Sequence, residues 1–228
     1  QWVAFRPVCP EMAIGLPTPR PALRLVMTTG GETEMRFSKA PHDDVTQKMA
    51  AFTADYLLKI GDLSGFIVCA KSPSCGMERV RLYDENGNRG RKEGVGLFTA
   101  ALLETFPWLP VEEDGRLHDP VLRENFVERV FALHELNVMR KNGLTRRALL
   151  DFHSRYKLQL LAHHQAGYRE IGPFVASLHE WDDLDAFFVA YRDKLMNILK
   201  KPASRKNHTN VLMQDRKSTR LNSSHPMP

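Results

Sequence analysis

The sequence predicts an α/β unit built on a parallel, Rossmann-like sheet, followed by an all-α unit. Three observations carry this. Up to about residue 112, short apolar runs alternate with Gly/Pro loops and amphipathic stretches, the pattern of strands interleaved with helices. Residues 107–119 then form a connector rich in Pro and acidic residues. Beyond it, every periodic stretch repeats at three and four residues, which is helical spacing.

The elements follow in order. Residues 5–9 read as a strand entering a loop, and 23–27 as a second strand. Residues 43–60 form a helix, because Val45, Met49, Phe52, Tyr56, Leu57 and Ile60 recur at helical steps. Gly61 and Gly65 punctuate its exit. Residues 65–70 are continuously apolar, the look of a buried parallel strand, which makes Cys69 a small core residue. A strand over 79–83 ends before the Asn86-Gly87 turn signal. A helix over 94–106 carries Val95, Leu97, Phe98, Leu102 and Leu103. In the second half, helices are expected over 120–141, over 145–164 with Thr145 as N-cap, over 167–180 with an interruption at Gly172-Pro173, and over 182–199. The last is amphipathic through Leu184, Phe187, Phe188, Tyr191, Leu195 and Ile198.

Composition narrows the class. The 228 residues are 43% hydrophobic and 26% charged, which suits one large or two modest globular domains. No apolar run approaches the roughly 20 residues needed to span a bilayer, so no membrane partner is expected. The net charge of +5 includes three basic residues and one acidic residue in 214–228, leaving +3 elsewhere. That balance lends little support to nucleic-acid binding, although it leaves such a partner open for the helical unit. Three cysteines without regular spacing do not make a disulfide framework and fit reduced thiols in a cytoplasmic protein.

Two cysteine loops carry the chemistry. One is Val8-Cys9-Pro10-Glu11 and the other is Lys71-Ser72-Pro73-Ser74-Cys75-Gly76-Met77. Each sets a thiol in a Pro- or Gly-bounded turn beside polar groups, a setting for a ligand or nucleophile. Both follow strand candidates, so both can reach one sheet edge, where α/β ligands bind. The alternative is a pair of unrelated loop thiols. Gly15, Gly76, Gly94 and Gly96 serve turns and close approach, since neither GxGxxG nor P-loop spacing is present.

The run Cys9-Pro10-Glu11-x-x-Ile14-Gly15-Leu16-Pro17-Thr18-Pro19-Arg20, with Lys71 to Gly76, resembles the thiouracil desulfidase family, also known as domain of unknown function 523. The likeness extends to Gly94-Val95-Gly96 and Leu109-Pro110-Val111-Glu112. The second half resembles the YbgA-type domain, domain of unknown function 1722. The matching runs are Arg129 to Leu136, Leu149 to Lys157 and His208 to Met213. The expected organisation is a desulfidase-like domain over 1–113, a connector over 114–123 and a helical domain over 124–213.

The resemblance implies a [4Fe-4S] cluster held by three cysteines, two of which are Cys9 and Cys75. The third belongs to a Ser-x-Cys-Leu-type loop upstream of Gln1, so the intact protein is expected to be the enzyme and this chain an inactive fragment. Three thiolates leave one iron open as a Lewis acid for a thiocarbonyl sulfur. The implied reaction replaces the sulfur of a thiolated pyrimidine, or similar small molecule, by oxygen without net redox change. Glu11, two residues past a ligand, is the candidate for activating water or moving a proton; its alternative is a solvated helix-start charge. Ser72 and Ser74 can hydrogen-bond cluster sulfur or substrate. Arg20 binds an anionic part of the substrate or pairs with a carboxylate. Two other readings stand beside this one. In the first, the cluster only stabilises or senses, and the helical domain binds a partner. In the second, the thiols hold zinc.

The helical half contains several histidines, but their spacing disfavours a shared metal. His153 and His164 lie about 16 Å apart along one helix, and His163 and His164 diverge by about 100°. His153, Arg155 and Lys157 read as a polar site or a solvated face. Phe152, Tyr156 and Leu160 read as core. The 182–199 helix is expected to expose an apolar strip for a missing C-terminal portion. Residues 215–225 read as the translation of a sequencing adapter, so 214–228 is expected to be an artefactual, unpacked tail.

Overall fold

The computed structural model describes residues 3–209 and 211–213. The tail expectation at 214–228 lies outside the described residues. The chain divides into two compact units, the first comprising residues up to Pro107 together with Val111–His118, the second Trp108–Pro110 and the residues from Asp119 onward. An α/β unit precedes a helical one, as the sequence predicts.

The first unit holds strands β1 (Leu23–Met27), β2 (Thr33–Phe37), β3 (Phe66–Val68), β4 (Val80–Tyr83), β5 (Arg89–Gly94) and β6 (Val111–Glu113). They form a four-stranded sheet in the order β2-β1-β4-β5 and a separate β3-β6 pair. The expected parallel pairing is present between β1 and β4 and between β3 and β6. The β1–β2 and β4–β5 pairs are antiparallel, so the sheet is mixed. The reason is loop length. Parallel pairing needs a long crossover, whereas these pairs are joined by tight turns. Gly31 (φ 85°) and Gly87 (φ 80°) supply the left-handed residues.

Three strands escape a hydrophobic reading. β5 (Arg-Gly-Arg-Lys-Glu-Gly) has no apolar side chain. β6 is three residues long. In β2, only Met35 is fully buried. Conversely, residues 5–9 form no strand. The run over 65–70 is a strand only over Phe66–Val68, with Ile67 exposed. Cys69 is exposed rather than in the core, because β3 has a single partner strand and one open side.

Helices α1 (Pro10–Ala13), α2 (Thr46–Lys59) and α3 (Leu97–Thr105) complete this unit. Phe98 is its hub, fully buried, with ring centroids of Phe66, Tyr56 and Phe52 at 5.7, 5.8 and 6.3 Å. Burying a side chain of this size contributes about 1.5–3 kcal/mol.

The second unit contains α4 (Pro120–Lys141), α5 (Arg146–His163), α6 (Gln165–Ala176), a 3-10 turn (Ser177–Glu180) and α7 (Leu184–Leu199). Asp119 caps α4 by accepting from Val121 and Leu122 N–H, with Pro120 in the first turn. Thr145 caps α5 by accepting from Ala148 N–H, as predicted. α6 runs through Pro173 instead of breaking there; Phe174 beyond it stacks on Phe187 at 4.8 Å. The expected open strip on α7 is absent. Phe187, Phe188, Tyr191, Leu195, Ile198 and Leu199 are all buried against α4, α5 and α6. No described helix is long and apolar enough to cross a membrane.

Candidate active site

Cys9 precedes a proline, and this restricts it to extended backbone. It takes φ −116°, ψ 104° at the N-cap position of α1, without a side-chain cap, and leaves Pro10 and Glu11 in the first turn. Glu11 is buried despite its charge. Gly15 (φ 88°) turns the chain after α1. The chain then returns Arg20 over the same spot.

The second cysteine loop is held from below by α3. The first backbone N–H groups of a helix lack intrahelical acceptors. Here they find loop carbonyls: Leu97 N–H donates to Pro73 O, and Phe98 and Thr99 N–H donate to Ser74 O. Thr99 Oγ1 donates to Cys75 O at 2.7 Å. Gly96 permits this approach, since a Cβ there would lie 2.5 Å from the Ser74 carbonyl and 2.6 Å from Cys75 N. Gly76 is equally constrained, with Val80 Cγ2 at 2.4 Å from such a Cβ. Ser72 Oγ accepts from the Ser74 and Cys75 N–H groups at 3.3 and 3.2 Å, which closes the turn.

The two loops meet at Glu11. Arg20 Nε lies 2.5 Å from Glu11 Oε2. Ser74 Oγ donates to Glu11 Oε1 at 2.7 Å and Ser72 Oγ approaches the same oxygen at 3.5 Å. Arg20 Nη2 also reaches Cys9 Sγ at 3.6 Å, and Ser74 Oγ lies 3.5 Å from Cys75 Sγ. All six residues singled out in the sequence therefore form one contact network. Of the two roles read for Arg20, the structure shows the carboxylate pair.

Burial pushes the Cys75 thiol up from its ordinary range; the Ser74 contact opposes this, and the negative charge of Glu11 adds to it. Burial also raises Cys69, with Asp114 adding to the effect. The polar loop setting alone does not make Cys75 a thiolate.

A solvent-open cavity of about 240 Å³ adjoins these loops. Its wall includes Val8, Pro10, Phe66, Phe98 and Cys75, with Cys69 and Asp114 at the polar side. Two acidic residues here carry no sequence signal beyond a run of acids at the end of β6. Asp114 Oδ1 accepts from Ala70 N–H at 3.0 Å and Gly115 N–H at 2.8 Å. Glu113 Oε1 accepts from Met77 N–H at 3.1 Å, supporting the exit of the Cys75 loop.

As donors for an iron–sulfur cluster, Cys9 and Cys75 have the right chemistry, and their loops face one cavity. They do not make a complete set. Among the described residues no group of three or more His, Cys, Asp or Glu side chains is placed to hold a metal ion.

His153, His163 and His164 of the second unit belong to its scaffold. His153 is buried, with Nδ1 3.1 Å from Tyr191 Oη. Arg155 pairs with Glu135, and Lys157 is exposed. The three thus form neither a polar site nor one solvated face. His163 Nδ1 lies 2.6 Å from Lys201 O and its Nε2 3.1 Å from Glu128. His164 accepts from Gly167 N–H as the cap of α6.

The family model described as 2-thiouracil desulfurase matches residues 1–114, half of the chain. The chain belongs to the 2-thiouracil desulfurase family. Its match takes in both cysteine loops and β6, so the Glu11 network lies wholly within the desulfurase region. A second model, for a protein of unknown function (DUF1722), matches residues 157–215. The chain is 55% identical over 85 residues to the uncharacterized protein YbgA of Escherichia coli (strain K12). That match covers 37% of this chain and 50% of that protein, so the chain spans about half the length of the curated relative it matches. No solved structure matches this desulfurase-family chain.

Proposed function

We propose that the protein carrying this chain is a cytoplasmic desulfurase that replaces the sulfur of a thiolated pyrimidine, or a similar small thiocarbonyl compound, by oxygen. The observation that carries the reading is the buried Glu11 carboxylate, held between Arg20 and Ser74 and bordered by the Cys9 and Cys75 thiols. The reaction balances as thiocarbonyl plus water giving carbonyl plus hydrogen sulfide, with no oxidant or reductant. A [4Fe-4S] cluster with Cys9 and Cys75 among its ligands would supply an open iron as Lewis acid.

The chain's own residues have distinct tasks. Glu11 takes a proton from the attacking water and returns it to the departing sulfur. Arg20 fixes one carboxylate oxygen and Ser74 the other, so the proton acceptor is positioned before substrate arrives. Ser72 holds the loop that presents Ser74 and Cys75. The apolar wall of Phe66, Phe98, Val8 and Pro10 accommodates a flat ring and limits water at the reacting carbon.

The test is to express the full-length gene, reconstitute iron anaerobically and follow the loss of near-ultraviolet absorbance of 2-thiouracil together with sulfide release. Equimolar sulfide and uracil are expected. A cluster-loaded protein inactive on a panel of thiolated pyrimidines overturns the reading.

A further inference from the structure

The cavity beside Cys75 has one charged group on its wall, Asp114, and the Glu11 network does not use it. Asp114 is set with care. It directly follows β6, its backbone N–H donates to Val68 O at 3.0 Å, and its Oδ1 accepts from Ala70 and Gly115 N–H. The carboxylate is thereby locked to the strand end that launches the Cys75 loop. Its second oxygen, Oδ2, meets the Cys69 thiol at 4.0 Å, the outer limit for a sulfur donor. A carboxylate oxygen accepts two hydrogen bonds and donates none. Asp114 is solvent-exposed and anchored through Oδ1, so Oδ2 is an acceptor with capacity to spare at the open side of a cavity lined by Phe66, Phe98, Val8, Pro10 and the Cys75 thiol.

The dimensions restrict what it meets. At about 240 Å³ the cavity is below the ~300–1,000 Å³ of drug-sized ligand sites, so it suits a single ring. Apolar and aromatic walls suit the faces of a flat heterocycle. The edge of such a ring that faces Asp114 must carry a donor, because an acceptor there is repelled.

We propose that Asp114 is a specificity residue that accepts a hydrogen bond from a ring N–H adjacent to the thiocarbonyl, so that the substrates are single-ring thioamides or thioureas with that N–H free. The inference rests on the desulfuration reading for the identity of the ligand. Asp114 orients the ring; it does not exchange a proton with it. Asp114 is anchored to Ala70, the residue that precedes the Cys75 loop, so the N–H and the sulfur are read from two ends of one stretch of chain.

The test measures equilibrium binding by calorimetry or NMR titration, on the chain without added iron. The probes are 2-thiouracil and 1,3-dimethyl-2-thiouracil, which lacks any N–H. The wild-type chain is expected to bind 2-thiouracil about tenfold or more tightly than the dimethyl compound, the effect of a hydrogen bond to a charged group. Asp114→Asn keeps the Oδ1 acceptor for Ala70 and Gly115 and presents an NH2 to the cavity. It is expected to erase that preference at an unchanged melting temperature. Equal wild-type affinities for the two probes, failure to bind either, or full affinity of a folded D114N chain for 2-thiouracil would each overturn the proposal. The wild-type comparison stands even if D114N misfolds. Sulfide release by the reconstituted parent protein separates the two readings. Binding that depends on Asp114 without turnover sinks only the desulfurase reading, and turnover with binding independent of Asp114 sinks only this one.

Discussion

Glu11 Oε1 accepts a 2.7 Å hydrogen bond from Ser74 Oγ, across 63 residues of sequence. Arg20 Nε holds the other oxygen at 2.5 Å. Neutralising the carboxylate should therefore separate chemistry from binding. Glu11→Gln retains the shape and a contact with Ser74. In the cluster-loaded parent protein it is expected to lower kcat on 2-thiouracil by about 10²–10⁴-fold, the range for loss of a general acid–base group, with KM changed little. An unchanged kcat would remove Glu11 from the reaction.

Gly96→Ala tests the seat of the Cys75 loop. The added methyl has no room against the Ser74 carbonyl and Cys75 N, and both are backbone atoms. The φ of −60° at this position is compatible with alanine, so any effect is steric. Overpacking of this kind costs about 1–3 kcal/mol. Denaturant titration should show that loss. Thiol accessibility at Cys75 should rise with it, because the helix N-terminus no longer fits the loop.

Cys75 should behave as a sluggish thiol in the absence of metal. Burial and the Glu11 charge favour its protonated form. The sign is that of an acid pushed up, so the reactive thiolate accumulates only above the ordinary thiol range of about 8.5. Alkylation by iodoacetamide, read by peptide mass, should be slower at Cys75 than for an unfolded peptide of the same sequence at pH 8. A faster rate at Cys75 would contradict the shift.

The helical unit should lose stability in mild acid through His153. Burial, with the nearby Lys157 charge, lowers its pKa, so the fold favours the neutral ring. The unfolded chain then takes up a proton that the folded chain resists. Stability is fully present above about pH 6.5, the ordinary histidine value, and falls as pH drops below it. Thermal melts between pH 7 and 5 should show the decline. His153→Gln should flatten this pH dependence, and an identical slope in the variant would exclude His153 as the source.

Phe187→Ala probes the packing that closes α7. Its ring stacks on Phe174 at 4.8 Å and meets Trp181 at 5.5 Å and Tyr191 at 6.1 Å. Truncating a fully buried aromatic costs about 3–5 kcal/mol. Chemical denaturation of the helical unit should register this loss; a change below about 1 kcal/mol would mean that α7 packs elsewhere.

The helices were largely legible. In the 120–141, 145–164 and 182–199 segments the apolar repeat, and for α5 the Thr145 cap, act within a few residues, so the sequence carries them directly; the Asp119 cap of α4 came from the structure. Strands were less so. β5 is polar throughout and β6 is very short, and both exist because a neighbour offers hydrogen bonds, not because their side chains demand a sheet. Cys69 was misplaced for the same reason. An apolar run says nothing about how many partner strands cover it.

Local spacing set two thiols in constrained turns, while their role as ligands and the roles of Glu11, Ser72, Ser74 and Arg20 came from the family resemblance. Cys9-Pro10-Glu11 and Ser72-Pro73-Ser74-Cys75 announce thiols and hydrogen-bonding groups in constrained turns, since proline restricts its neighbour wherever the chain goes. Tertiary structure decided the rest. That Arg20 pairs with Glu11, that Cys75 is a raised thiol and that Asp114 stands across the cavity depend on α3 presenting unsatisfied N–H groups to one loop and β6 delivering a carboxylate beside another. Arg20 returns to Glu11 across nine residues through the turn after α1; the other contacts join residues tens of positions apart, set by sheet pairing and helix docking, and no local pattern encodes them.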